Sequence, residues 1–333
     1  MSKKTASPVG ERSKNNIYLI IGVIVLITLF CFSLFIGKFP LSLTKILEGD
    51  EFQTNVFWTL RFSRTLVGVV GGFSLAIAGF VYQTIFRNPL AAPDIIGVSS
   101  GASAGAAFGI LFFTGAMSIT VCSFGGALIA VVLSIVFSSL DRSDRKGSVI
   151  LAGIAVHSLA QTFLMILKTM ADPEKQLASI EYWIMGSLNG VNSHIMTGNL
   201  VLCVICLIVL FMLHRQTLLL SQDEGEAKML GVNVTCMRFA VLIISTLVVS
   251  SIVSLTGLIS FVGLLAPHSA RKLMGNNSIK TMVMGGIIGS IILLFADILA
   301  RSVAKTELPV SIFTSLIGAP FLVFLIFKRR DTV

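Results

Sequence analysis

Residues 60–105 read LRFSRTLVGVVGGFSLAIAGFVYQTIFRNPLAAPDIIGVSSGASAG, and this stretch limits the possible folds more than any other. Two arginines open it, and a long apolar run rich in glycine and alanine follows. The polar break Arg87-Asn88-Pro89-Leu90 divides it, and a second apolar run begins at Ile95. The alternation predicts a membrane-spanning helix, a turn at one face of the bilayer, and a return helix that starts with small residues. Arginine is expensive in hydrocarbon, so Arg61 and Arg64 must sit at a surface or in a polar crevice.

The rest of the chain follows the same pattern. Hydrophobic residues make up 55% and charged residues 12% of the chain, where a soluble domain carries about 25% charged residues. The expected class is an all-α, polytopic membrane protein. The longest inter-span segments, 172–193 and 214–237, have the scale of connecting loops, so residues 1–333 form a single transmembrane domain. The net charge of +9 is spread through the loops, which fits the positive-inside effect and not nucleic-acid binding. The first span, 17–36, follows a basic tail (residues 1–16) and lacks a small-residue cleavage site, so it reads as an uncleaved span with a cytoplasmic N-terminus. Cys203 and Cys206 form a CxxC inside an apolar helix, and packing explains them better than redox or metal chemistry because no Cys or His pair completes a site.

Apolar runs set against charged and proline-containing breaks predict ten spans: 17–36, 58–82, 95–113, 117–140, 149–170, 195–213, 237–255, 256–267, 282–299 and 312–327. The stretch 256–267 is too short to cross about 30 Å of hydrocarbon at about 1.5 Å per residue. A re-entrant or broken helix held against neighbours is the alternative. Counting it as a crossing puts both termini in the cytoplasm, with 17 Lys and Arg on the inner side against 8 on the outer.

The outer minority includes Arg61, Arg64 and Arg301, the last four residues after the intramembrane Asp297. An Asp297–Arg301 ion pair one helical turn apart is one reading. Snorkelling of Arg61 and Arg64 to headgroups is another, and docking of an acidic partner is a third, since arginine pairs directionally with carboxylates. Gly68-x3-Gly72, Gly101-x3-Gly105-x3-Gly109 and Gly285-x3-Gly289 permit close helix approach, within or between subunits. In the inner loop 214–237, Ser221, Gln222 and Asp223 offer a cap and Glu224 and Glu226 favour the first turn of a short helix. Gly231 ends it, leaving Ala227 and Leu230 for a partner. His157 lies mid-span with Gln161 one turn on, suited either to packing or to lining a pathway. The four histidines (His157, His194, His214, His268) show no metal-ligand spacing, and no metal is expected.

Further blocks carry a resemblance. They are Arg61-x-x-Arg64, Ala78-Gly79-x3-Gln83-x3-Arg87-Asn88-Pro89-Leu90-Ala91, Gly97-x3-Gly101-Ala102 and Tyr182-Trp183-x-Met185-Gly186-Ser187, then Gly225-Glu226-x3-Leu230-Gly231-Val232. Gly257-x-Ile259-x-Phe261-Val262-Gly263-Leu264-x-x-Pro267-His268-x-x-Arg271, Ala296-Asp297-x3-Arg301 leading to Pro309, and Gly318-x-Pro320-Phe321 complete the series. From about Phe57 to the C-terminus the chain resembles the permease subunits of bacterial ABC importers for iron–siderophore complexes, haem and vitamin B12. The resemblance implies a type II importer permease fold with ten spans per subunit. It implies two permease subunits, identical or homologous, around a central pathway, and two ATPase subunits beneath that bind ATP and Mg. It implies that Arg61, Arg64 and Arg301 meet acidic residues of an extracytoplasmic binding protein, and that the segment Gly225, Glu226, Ala227, Leu230, Gly231 seats on the ATPase. Helices 149–170 and 312–327 would face the pathway, while Asn88, Pro89, Pro267, His268, Arg271 and Asp297 belong to the structural motifs. Phe62-Ser63 stands where the family usually has Leu-Pro, which relaxes the local backbone but keeps both charges.

Energy logic points the same way. The only Gly-Lys pair, Gly37-Lys38, lacks the upstream glycine of a P-loop, so this chain is expected to be non-catalytic and to bind no cofactor. An ion-coupled carrier, the runner-up class, is expected to place acids at mid-membrane, and Asp297 near a span end is the carboxylate the spans display. The expected protein is therefore a multi-pass permease of a bacterial cell membrane, in contact with lipid. It passes a metal chelate, ferric siderophore first and haem or vitamin B12 next, to the cytoplasm.

Overall fold

The computed structural model describes residues 8–37, 39–140, 145–189, 193–222, 224–231, 233–275 and 277–330, and every regular element among them is helical. The chain begins with α1 (Pro8–Phe35), α2 (Leu43–Leu47) and α3 (Glu51–Asn55). A π-helical segment, Val56–Phe62, then runs without interruption into α4 (Ser63–Ile85). A 3₁₀ turn, Pro93–Ile96, leads to α5 (Val98–Phe112), followed by α6 (Ala116–Leu140), α7 (Arg145–Met170), α8 (Gln176–Ile184) and α9 (Ser193–Met212). The inner loop holds α10 (His214–Leu219) and α11 (Glu224–Met229). The chain closes with α12 (Val234–Thr256), α13 (Val262–Met274), α14 (Ile279–Ser302) and α15 (Val310–Arg330).

Six of these helical runs are long and apolar enough to cross a bilayer: Lys14–Phe35, Glu51–Ile85, Ala116–Leu140, Ser148–Met170, Val234–Thr256 and Ile279–Ser302. α5, α9 and α15 contribute shorter apolar stretches. The bundle is built around α4, nearly all of whose residues are buried, whereas α1 turns Ile17, Ile20, Ile24 and Ile27 outward. In water that exposure would be costly; against lipid tails it is the expected finish of an outer helix.

Helix approach is set by backbone contact. A Cβ on Gly72 of α4 would lie 2.4 Å from the Gly289 carbonyl oxygen of α14, and one on Gly101 of α5 would lie 2.5 Å from that of Gly126 on α6. The small-residue motifs therefore work within this chain, pressing α4 against α14 and α5 against α6.

The expected segment 256–267 is corrected. α12 ends at Thr256, residues 257–261 are non-helical, and α13 runs from Val262 to Met274 with Pro267 inside it. Gly257 (φ 69°) and Phe261 (φ 67°) turn the backbone out of the helix and back again. Pro267, which as a sequence signal marked an end, is instead absorbed. It has no N–H for the carbonyl of Gly263 four residues earlier, and that carbonyl lies against α4, where a Cβ on Gly79 would be 1.6 Å from it. The break also satisfies backbone groups across elements. The Ser187 N–H donates to the Thr256 carbonyl at 2.7 Å, and the Val310 N–H to the Gly186 carbonyl at 3.0 Å. Irregular backbone at membrane depth is tolerated only where protein or a cavity supplies partners in this way.

The close approach at Gly79 makes a direct test. Gly79→Ala must separate α4 from α13, and we expect it to destabilise the protein by about 1–3 kcal/mol. Gly198→Ala in α9, where a Cβ meets nothing within 4 Å, should be neutral or stabilising by up to about 1 kcal/mol. Thermal unfolding in detergent, followed by circular dichroism, separates the two; equal midpoints would show that the α4–α13 contact carries no packing constraint.

Candidate functional site

At the end of the bundle where α4 begins and α14 closes, expected from the sequence to be the outer one, the structure brings four of the expected residues together. Asp297 of α14 is fully buried, and its Oδ1 accepts from Arg64 Nε at 2.9 Å and lies 2.8 Å from Arg64 Nη2. Its Oδ2 lies 2.8 Å from Arg301 Nη2, one helical turn on. Arg64 Nη1 reaches the half-buried Glu307 at 2.8 Å, on the connection to α15. Arg301 also donates to the Ser33 carbonyl (3.2 Å), the Ser33 hydroxyl (2.6 Å) and the Ile36 carbonyl (3.0 Å), fastening α1 to α14. Arg61 donates to the carbonyls of Ile36 and Phe39.

The local sequence explains how three arginines reach one place. The π-helical segment holds Arg61 near its end, and the Ser63 hydroxyl donates to the Trp58 carbonyl at 3.2 Å, so the helix continues where a proline would have interrupted it. The guanidiniums are not displayed on an open face: Arg61, Arg64 and Arg301 are 7%, 8% and 3% exposed. Snorkelling to headgroups is therefore not what they do, and the Asp297–Arg301 pair proves to be part of a larger cluster. A cavity of about 210 Å³, lined by Arg61, Arg64, Arg301, Glu307 and Asn189 among others, opens beside them.

The inner end gathers a second group. Asn88 Oδ1 accepts from the Leu90 N–H at 2.9 Å, and Arg87 adopts φ 50°, so the Arg-Asn-Pro-Leu break is a tight turn after α4. Arg271 of α13 clamps onto α4. It donates to Gln83 Oε1, to the Phe80 carbonyl at 3.1 Å and to Thr84 Oγ1 at 2.9 Å, with its guanidinium 4.3 Å from the centre of the Phe80 ring. Asn277 Oδ1 accepts from its Nε at 2.7 Å. His268 on the same helix stands edge-on to Phe321 of α15, with ring centres 6.2 Å apart. Pro267 packs toward Gly285 of α14.

The Arg87 side chain donates to the Gln222 carbonyl, joining this turn to the inner loop. There α11 forms where a short helix was expected, although the Ser221 hydroxyl donates back to the Leu218 carbonyl at 2.6 Å, and Gly231 follows it with φ 79°. Asp223 and Val232 lie outside the described residues, as does the side chain of Ala227. Gly225 and Glu226 are exposed, and the apolar Met229 and Leu230 are 89% and 64% exposed.

His157 and Gln161 stay apart from both clusters, on α7, where His157 is exposed and Gln161 half-buried. Cys203 is buried with its sulfur 3.1 Å from the Ser74 hydroxyl, a packing role. Among the described residues no three or more His, Cys, Asp or Glu side chains gather to hold a metal ion.

One residue was missed. Asp94 follows Pro93 in the 3₁₀ turn, and its carboxylate accepts from the Ser99 hydroxyl. It lines a cavity of about 210 Å³ together with Leu75 at the middle of α4 and Ile259, Ser260 and Phe261 of the α12–α13 break. Its position just after a proline reads as a surface turn, and nothing in the local pattern shows that the turn folds back into the bundle. Asp94 is thus a second carboxylate within the bundle, in addition to Asp297, of the kind an ion-coupled carrier would use.

Comparison with known proteins bears on what this arrangement serves. The model of the FecCD transport family matches residues 25–328. The molybdate import system permease protein MolB of Haemophilus influenzae is 35% identical, over 90% of this chain and 91% of its own length. The hemin transport system permease protein HmuU of Yersinia pestis is 31% identical, over 93% of this chain and 95% of its own. Among solved structures, a metal-chelate type ABC transporter in an inward-facing conformation superposes with a TM-score of 0.86 and 34% identity. That match covers 93% of this chain and 98% of the other.

The outer cluster yields the next prediction. Asp297→Asn leaves two buried arginines without their shared carboxylate, and breaking such a buried pair costs about 3–5 kcal/mol. Glu307→Gln removes a partner at the half-exposed edge, where an ion pair contributes about 0–1 kcal/mol. Unfolding midpoints of the two variants should therefore differ clearly, with Asp297→Asn far lower; similar midpoints would mean that the cluster is not what holds α1, α4 and α14 together.

Proposed function

We propose, for a chain that belongs to the FecCD transport family and so to the permeases of ABC importers, that it passes a ferric chelate, a siderophore before haem or vitamin B12, from an extracytoplasmic binding protein to the cytoplasm. The observation that carries the reading is near full-length likeness to a metal-chelate type ABC transporter in both sequence and fold. The hemin permease relative supports iron chelates more broadly and keeps haem as the second reading. In this proposal the working unit pairs two permeases, this chain with itself or with a homologue, since closed two-fold pairing is the common route to a central pathway. In the same proposal ten segments, with α13 (Val262–Met274) in place of 256–267, cross or enter the membrane of a bacterial cell, with both termini in the cytoplasm. ATP and Mg belong to two separate ATPase subunits, and this chain carries no catalysis of its own.

Coupling is assigned to Gly225, Glu226, Ala227, Leu230 and Gly231. A short helix that presents Met229 and Leu230 to water is unfavourable unless a partner covers it, and an ATPase groove would do so. Movement there reaches the bundle through the Arg87–Gln222 link and the Arg271 clamp on α4. Docking of the binding protein is assigned to the outer cavity. Arg61, Arg64 and Arg301 face only Asp297 and Glu307 within the named cluster, which leaves an excess of positive charge for an incoming carboxylate. Arg61, which donates to the carbonyls of Ile36 and Phe39, is the residue that supplies it. His157 and Gln161 are assigned to the pathway wall.

Reconstitution in liposomes with the cognate ATPase and binding protein tests this. Wild type should take up a ferric siderophore only with ATP inside. Leu230→Asp should cut uptake by about tenfold, equivalent to about 1.4 kcal/mol of coupling, while the permease stays folded. Arg61→Gln should weaken binding-protein docking in a salt-dependent way and leave basal ATP hydrolysis unchanged. Uptake that proceeds at full rate without the ATPase would sink the reading.

A further inference from the structure

The cavity at Asp94 belongs to neither of the clusters described above. Its depth follows from three elements. α13 has 13 residues, and at about 1.5 Å each they put Phe261 about 20 Å from the inner end of that helix. Leu75 lies near the middle of α4, and Val253 lies one turn before the end of α12; both line the same cavity. The carboxylate of Asp94 thus sits deep within the hydrocarbon thickness, beside a stretch of unwound backbone.

Both features point to a ligand. A carboxylate at that depth is strongly disfavoured unless it faces an aqueous cavity or a partner, and such residues mark substrate pathways. Discontinuous helices whose unwound backbone lines a mid-membrane cavity mark binding sites for the same reason, because their free backbone groups and the cargo satisfy each other. Here the two coincide. Asp94 is exposed into the cavity and accepts from the Ser99 hydroxyl, and among the described residues no lysine or arginine forms an ion pair with it. The turn that carries Asp94 packs on α7: the backbone nitrogen of His157 lies 3.4 Å from where a Cβ on Gly97 would stand. That turn thus sits next to His157, while the cavity itself is walled by α4, α12 and the start of α13.

We propose that Asp94 contacts the cargo and sets its charge preference, favouring chelates that present a cationic group to the break between α12 and α13 and disfavouring oxyanions. Ser99 donates to the carboxylate, and Ser260 of the break lines the same cavity. This inference rests on the importer reading and narrows its cargo class: within one chelate skeleton, the form carrying an ammonium should be preferred to the same form with that group neutralised.

Ferrioxamine B, a ferric trihydroxamate with a terminal ammonium, and its N-acetylated neutral form differ in that charge alone. Binding of each to the purified permease in lipid nanodiscs, without ATPase, is measured by calorimetry for wild type, Asp94→Asn and Asp94→Glu. Wild type should prefer the cationic form by about tenfold. Asp94→Asn should lose the preference while binding the acetylated form as wild type does, and Asp94→Glu should keep it. A ratio that Asp94→Asn leaves unchanged overturns the proposal, as does a wild type that binds neither form or favours the neutral one. ATP-driven uptake of the same pair is the second arm. If wild type shows the charge preference in binding but no ATP-dependent uptake of either chelate, the ferric-chelate importer reading falls and the Asp94 site stands.

Discussion

In hydrocarbon a buried charge has no water to fall back on, and the Asp297 cluster is the arrangement on which the outer half of this bundle depends. A fully buried carboxylate takes a guanidinium on each oxygen, one from α4 and one from its own helix. The same guanidiniums then reach the end of α1 and the connection to α15. Four separate parts of the chain are thereby held by one charge, and none of them can shift without leaving an ion unpaired at several kcal/mol of cost. Apolar contacts cannot supply that specificity in a membrane, because lipid tails solvate leucine as well as another leucine does.

Position along α4 is handled by a different means. Gly72, Gly79 and their partners Gly289 and Gly263 let backbone touch backbone, so the spacing between α4 and its two neighbours is set by main-chain dimensions and not by side-chain choice. The carbonyl that Pro267 leaves without an intrahelical donor is the one pressed against Gly79. A proline and a glycine far apart in the chain thus describe a single contact, and either alone would look like an ordinary helix breaker.

This bears on what could be read from residues in order. Long apolar runs, the Arg-Asn-Pro-Leu turn and the short helix before Gly231 were legible because each signal is local: length, a proline, a cap. The α12–α13 boundary was misplaced because Pro267 was read by its usual local meaning, whereas its lost hydrogen bond is compensated by helix packing. Arg64 could be recognised as important but not as buried, since its carboxylate partner Asp297 lies 233 residues away. Asp94 escaped for the same reason. Whether a turn returns to the surface or folds inward depends on what the distant α12–α13 break leaves open, and no pattern within ten residues of Asp94 carries that information.

The π-helical segment before α4 has a further meaning. Such a segment holds one residue more per turn than an α-helix while keeping the rod continuous, so Val56–Phe62 is a place where the chain length and the helix phase are decoupled. Removing one residue there would restore ordinary α geometry without breaking the rod. The outer part of the helix, α3 and its Asp50 cap, would rotate by about a quarter turn relative to α4. Insertions and deletions are normally fatal inside a spanning helix; this one has a built-in point at which a single-residue change in length re-aims that end of the bundle and leaves the buried register of α4 untouched.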